Sequence, residues 1–196
     1  MNAILTKLSP NATDMIRMDH TRVLALFHRY RADSRPAVKR GLVRTACLAI
    51  EVHAQIEEEI FYPAMGIAGR ELVEKSVPEH EEMRRLISAL RNTDPAGTEY
   101  DSLFMELMRD VMHHVADEET QLLPAAERLL GERLNELGAQ MAKRRVQLLA
   151  PKMRELASDT ARSNPAGIAL AAAGTLMAAF AVRSALKRRG ALRPPA

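Results

Sequence analysis

Apolar residues recur at three- and four-residue intervals along most of this chain, the spacing that lays one greasy stripe along an α-helix. The pattern predicts a first helix from Thr13 or Asp14, good residues for an N-terminal cap, to about Tyr30. Asp33 to Pro36 then predicts a turn. A second helix begins at Pro36, a residue suited to a first helical position, and runs to near Met65, where Gly66 and Gly69 end it. A third spans about Arg70 to Arg91, with Pro78 expected to kink or restart it just before His80. The turn-rich stretch Asn92 to Gly97 leads into a fourth helix, Thr98 to Leu130, closed by Gly131. The fold predicted is all-α: an antiparallel up-down four-helix bundle over residues 12–131. Beyond it, Glu132 to Leu149 predicts a fifth helix, interrupted by Pro151, so that 132–164 reads as a helical linker to a tail, 165–196.

Composition changes this picture at one end only. The net charge is +3, but residues 165–196 carry five basic groups and no acid, which leaves 23 basic against 25 acidic groups, or −2, in residues 1–164. By charge the main domain is no nucleic-acid binder. Pro165 to Val182 holds no charged residue over 18 positions and is followed by Arg183, Lys187, Arg188, Arg189 and Arg193. A spanning helix needs about 20 apolar residues. Gly167, Ala171, Gly174 and Ala178 give the small-residue spacing that suits close packing in lipid. The expectation is membrane association through 165–189, with the basic end on the cytoplasmic side; an Ala-rich helix docked on a partner is the competing reading. A lone Cys47 excludes an intrachain disulfide, and the N-terminal stretch shows no apolar signal core, so a cytoplasmic protein is expected. The oligomeric state is left open.

The chemistry lies in the histidines. His53 and Glu57 form an H-x-x-x-E pair, and His114 and Glu118 form another, each with a proline ten residues after its His, at Pro63 and Pro124. Single histidines precede both pairs, His20 and His80. His20 to His80 is 60 residues and His53 to His114 is 61. This register reads as a duplicated helical hairpin. Residues i and i+4 share a helix face, so each pair can reach one ion, and a bundle brings four such faces to one axis. Four imidazoles and two carboxylates suit iron better than calcium or magnesium, which prefer all-oxygen shells. Any one of these histidines alone would read as a core or solvated residue; the duplication is what outweighs that. His28 has no counterpart and reads as surface, while His113 faces about 100° away from His114. His80-Glu81 opens like a zinc-protease motif, but Arg84 stands where the second His is needed. The acid runs 57–59 and 117–119 read mostly as solvated faces, with Glu58 and Glu119 as lesser ligand candidates. Apolar residues such as Leu24, Phe27, Ile50, Ile60, Phe61, Ile87, Leu107, Val111 and Leu122 are expected around the site, and acceptors on the far ring nitrogens are expected but not identifiable.

The order His20 … His53-x-x-x-Glu57 … His80 … His114-x-x-x-Glu118 resembles the hemerythrin-like family, also called the HHE cation-binding domain, over about residues 12–130. The resemblance implies a four-helix bundle holding two non-heme iron ions with an oxo or hydroxo bridge, no heme, and those six residues as ligands. One departure matters. Oxygen-carrying members have a fifth His one turn from the single His of the third helix, where this chain has Ser76 and Arg84. A reversible O2 carrier is therefore not the expectation. A phenol, from Tyr30 or Tyr62, is a candidate additional ligand. The four-His, two-Glu set resembles members associated with catalase-like activity, so reaction with O2 or hydrogen peroxide is implied. A module that binds or senses O2, nitric oxide or iron without turnover, tethered by its tail, is the alternative, and a purely structural metal is a third.

Overall fold

The computed structural model describes residues 10–163, with side chains to Pro151. The tail read above as membrane-associated lies outside the described residues. Among the described residues no helix is long and apolar enough to cross a membrane, and none forms a strand. The chain divides after Ala150 into two units.

The first unit is a helical bundle. Its first helix, α1, covers Ala12–His28. The cap is Asn11 rather than Thr13 or Asp14: its Oδ1 accepts the Asp14 amide and the Thr13 hydroxyl, both at 2.9 Å. The second rod is α2, Pro36–Ile56, then a wide π-turn, Glu57–Phe61, then α3, Tyr62–Met65. The third is α4, Arg70–Asn92. The fourth repeats the second: α5, Thr98–Asp117, a π-turn, Glu118–Leu122, and α6, Leu123–Leu130. Gly66 (φ 61°) and Gly131 (φ 49°) stop the second and fourth rods in backbone conformations that disfavour other residues.

At two prolines the helix runs on where a restart or an interruption was expected. α4 neither breaks nor restarts at Pro78. Pro78 and Glu74 are both exposed, so the carbonyl that Pro78 leaves without a donor lies on the watery side. α7, Arg133–Ser163, likewise continues through Pro151, where an interruption was expected. Pro63 and Pro124 do leave a mark. Each follows a π-turn, in which the Tyr62 amide bonds the Glu57 carbonyl and the Leu123 amide bonds the Glu118 carbonyl, five residues back. A proline ring crowds the carbonyl four residues before it and cannot donate, and a wide turn is one way a helix absorbs that conflict.

The interior has two apolar layers. One joins Ala12, Met15 and Ile16 to Ile56, Phe61, Leu122 and Leu123. The other joins Val23 and Phe27 to Ile50, Leu86, Phe104 and Leu107. His20, His53, His80 and His114 fall between them in sequence on all four rods. The start of α7 belongs to the first layer through Leu134, Leu137 and Met141. Gly138 passes so close to the chain start that a Cβ there would sit 2.3 Å from the Pro10 carbonyl oxygen. Up to Ala150, the predicted linker is a docked fifth helix.

Candidate metal centre

All six predicted ligands come together and all are buried: His53 is 8% exposed, His20 3%, His114 2%, and His80, Glu57 and Glu118 1% or less. They form two bays. His20 and His53, from the first hairpin, cluster with Glu57 and Glu118; His80 and His114, from the second, cluster with Glu57. His20 Nε2 lies 3.2 Å from Glu118 Oε2, and His53 Nε2 lies 3.2 Å from Glu57 Oε2. His80 Nε2 is 3.5 Å from Glu57 Oε2, and His114 Nε2 is 3.5 Å from Glu118 Oε2. Each carboxylate thus touches one imidazole of either bay.

The opposite edge of every ring faces an acid. His20 Nδ1 meets Glu119 Oε1 at 2.9 Å, His80 Nδ1 meets Glu58 Oε1 at 2.8 Å, and His114 Nδ1 meets Glu79 Oε2 at 2.8 Å. His53 Nδ1 faces Asp19 Oδ2 at 3.7 Å. A carboxylate accepts only, so a neutral ring held this way carries its proton on Nδ1 and turns the Nε2 lone pair inward. The set is duplicated like the ligands: Asp19 and Glu79 are 60 residues apart, Glu58 and Glu119 are 61. It also crosses between copies, because Glu58 of the first hairpin holds His80 of the second and Glu119 of the second holds His20 of the first. Glu58 and Glu119 are therefore orienting groups, where the sequence reading gave solvated faces or lesser ligands.

The electrostatics call for a cation. His80 and His114 present their Nε2 atoms to each other at 3.2 Å with both Nδ1 protons committed to Glu58 and Glu79. His20 Nε2, His53 Nε2, Glu57 Oε1 and Glu118 Oε2 are buried without a hydrogen-bond partner among the described residues. Burial pushes the His80 imidazole down to about 2 and also lowers His53, so both are neutral. Burial, reinforced by the Glu118 charge, drives the Glu57 carboxyl well above the usual range. Burial works the same way on Glu118, but the His20 imidazole and its neighbours outweigh it and hold that carboxyl at about 2. His20 rises correspondingly: burial opposes its charge, and Glu118 and then Glu119 overcome that. Two carboxylates this close do not both ionise without positive charge between them. A bound metal cation would supply it, and the imidazole and carboxylate donors suit iron.

The two tyrosines part company. Tyr30 is not at the site; its hydroxyl donates to Asp101 and its ring packs on Phe104 at 4.5 Å between centroids. Tyr62 is at the site. The π-turn carries it back over Glu57, its hydroxyl lies 3.0 Å from Glu118 Oε1 and 3.3 Å from Glu57 Oε2, and its ring stacks on His80. Burial and then the Glu57 charge raise its phenol well above the ordinary value. Its duplicate position is Leu123, and the duplicate of buried Ser76 is Ile16. The position without the fifth His is therefore also one where the two halves of the site differ. His28 and His113 are exposed, as expected, although His113 Nδ1 approaches Glu79 Oε1 at 3.4 Å.

Against the histidines lies a small void walled by Val23, Ile50, Ala54, Met83, Val111 and Val115, with room for about one water-sized molecule. Ile50 and Val111 belong to the expected lining. A second cleft, lined by Leu72, Lys75, Glu79, Asp117 and Gln121, reaches Glu118.

Comparison with known proteins agrees with this fold. A DNA nickase of Nostoc sp. is 30% identical over 120 residues, 61% of this chain but only 34% of that protein, so the chain spans about a third of that relative's length. The uncharacterized protein Rv2633c of Mycobacterium tuberculosis is 27% identical over 142 residues, covering 70% of this chain and 87% of that one. A crystal structure of the Rv2633c homolog from Mycobacterium kansasii, a hemerythrin HHE cation binding domain-containing protein, superposes with a TM-score of 0.63 over 83% of this chain and 99% of that chain, at 22% identity. The hemerythrin HHE cation binding domain model matches residues 11–126, and the chain belongs to that family.

Proposed function

We propose that the protein binds two non-heme iron ions, one in each bay, and reacts there with hydrogen peroxide or O2, with catalase-like peroxide removal as the leading reaction. The observation that carries this is the small void lined by all four imidazoles. It is otherwise walled mostly by apolar side chains, and belongs to a site where two imidazole nitrogens and two carboxylate oxygens lack a hydrogen-bond partner among the described residues. Bound in the bays, iron would supply a redox-active centre through which electrons from one peroxide reach another. The chain's own part is to hold four imidazoles by their Nδ1 protons, keep bulk water from the void, and place the Tyr62 hydroxyl beside both carboxylates. That phenol is the group we assign to the place of the absent fifth His, as a ligand or as a hydrogen-bond donor to Glu118. Disproportionation of peroxide is self-balanced: one molecule is oxidised to O2 and a second reduced to two waters, with no outside reductant. Binding of O2, nitric oxide or iron without turnover is the alternative for the same geometry.

The rest of the assignment follows from charge and sequence. Residues 1–164, at −2, offer no basis for taking over DNA cleavage from the Nostoc relative. A cytoplasmic location, with residues 165–189 attaching the domain to a membrane, remains our reading of the tail. The test is peroxide added to iron-loaded protein with O2 followed at an electrode. Many turnovers per site, absent in Glu118→Ala, are expected. A single stoichiometric reaction would move the assignment to the binding module.

A further inference from the structure

The two bays differ in what lies outside them. In the second hairpin, Glu79 orients His114 and its neighbours His113 and Asp117 are open to solvent or partly so. In the first, the matching positions are Asp19, Val52 and Ile56. Val52 and Ile56 are buried in the apolar layer that includes α7. Asp19 accepts from Arg145 of α7 through Oδ2, the same oxygen that His53 Nδ1 faces. Arg145 and Asp19 are only 14% and 13% exposed, whereas Arg22, the other cation on Asp19, is half exposed and stands 3.4 Å away. Of the four orienting carboxylates, Asp19 is the one that grips its imidazole least closely and the one tied to the fifth helix.

We infer that Arg145 is a positioning residue of the metal centre, holding Asp19 where it aims the His53 imidazole, so that α7 is part of the first bay and not only its cover. The inference rests on the two-bay reading above. Its chemistry is simple: without Arg145 a mostly buried carboxylate loses its main countercharge and shifts toward water, leaving His53 free to turn. Loss of a group that orients a metal-bound imidazole weakens metal binding by about 10- to 100-fold. Arg144 supplies the control. It lies next to Arg145 and docks α7 on Glu59 at 2.5 and 2.9 Å, at a site about one-third exposed and away from the imidazoles.

The experiment is titration of the metal-free full chain with Co2+, read by its visible ligand-field bands. Wild type is expected to take up two equivalents. In Arg145→Met one equivalent is expected to weaken by about 10- to 100-fold with altered bands, while the other stays unchanged. Arg145→Lys should return most of the loss, and Arg144→Met should match wild type. Should the Met variant fail to fold, Arg145→Gln carries the same expectation. Two equally tight equivalents in the Arg145 variant, an Arg144→Met loss of the same size, or no rescue by Lys would overturn the inference. Fewer than two equivalents in wild type would overturn the two-bay reading itself, and this inference with it.

Discussion

Two polar clusters sit inside the same four rods, and only one of them is closed. In the first, Lys39, just 4% exposed, donates to Asp101 at 2.7 Å, and the Tyr30 hydroxyl donates to the same carboxylate. One cation, one anion and one neutral donor satisfy each other. In the second, four imidazoles and two carboxylates converge, four of their buried atoms have no partner, and two carboxyl groups titrate in opposite directions. Helical bundles bury polar groups for both reasons, to fix a fold or to hold an ion. What separates the cases is whether the hydrogen-bond account balances without anything added.

The largest expected effect breaks the open cluster alone. In Glu57→Gln the carboxylate shared by both bays becomes an amide, a much poorer ligand, and iron content should fall from two per chain to one or none, measured by elemental analysis after reconstitution. The metal-free protein should hardly notice. Glu57 is already pushed toward its protonated form by burial and the Glu118 charge, so Gln is close to isosteric, and the unfolding free energy should change by less than about 1 kcal/mol. Retention of two tightly bound irons would show that the bridging carboxylate has been misassigned.

The converse variant breaks the closed cluster. Lys39→Met keeps the aliphatic stem and deletes the charge, leaving Asp101 with Tyr30 as its one remaining donor here. A cost of about 1–3 kcal/mol in urea unfolding is expected, with iron stoichiometry still two. If metal content fell in step with stability, the clusters would be one cooperative unit and the distinction drawn here would fail.

How far the sequence carried this contrast depends on the range of each interaction. The six ligands were readable because H-x-x-x-E is a within-helix relation and the repeat fixed its phase twice. The four orienting acids were harder. Asp19 and Glu79, and Glu58 and Glu119, carry the same 60- and 61-residue repeat as the ligands, which was a usable signal. Their partners, however, lie on other helices, and for Glu58 and Glu119 in the other copy, so no single-helix argument pairs them. Tyr30 and Tyr62 looked equivalent as phenols. The π-turn decided between them, and its trace in the sequence was the repeated proline, noticed as a register mark but not as the cause of a wide turn. Pro78 and Pro151 misled in the opposite sense, because the cost of a proline in a helix depends on whether the freed carbonyl can reach water. The fifth helix read as a linker because its packing partners for Leu134, Leu137 and Met141 include Ala12, Met15 and Ile16 of α1, more than a hundred positions away.

The smallest effect concerns how the closed cluster responds to acid. Burial would raise the Asp101 carboxyl, but Lys39 and then Tyr30 outweigh it and hold the carboxyl below its ordinary value of 3.8. A group depressed in the folded state adds stability that is fully present above its unfolded value and is lost as pH falls through the folded one. Asp101→Asn keeps an oxygen for Lys39 and Tyr30 but has no charge to lose. The variant should therefore be modestly less stable than wild type at neutral pH, by less than Lys39→Met. The gap should close as pH drops below about 4. Urea midpoints of the metal-free proteins between pH 6 and pH 2.5 read this directly, since acid release of metal does not enter. A gap that stayed constant across that range would mean the Lys39 contact depends on the shape of Asp101 and not on its charge, and the closed cluster would then be a hydrogen-bonded plug in place of an ion pair.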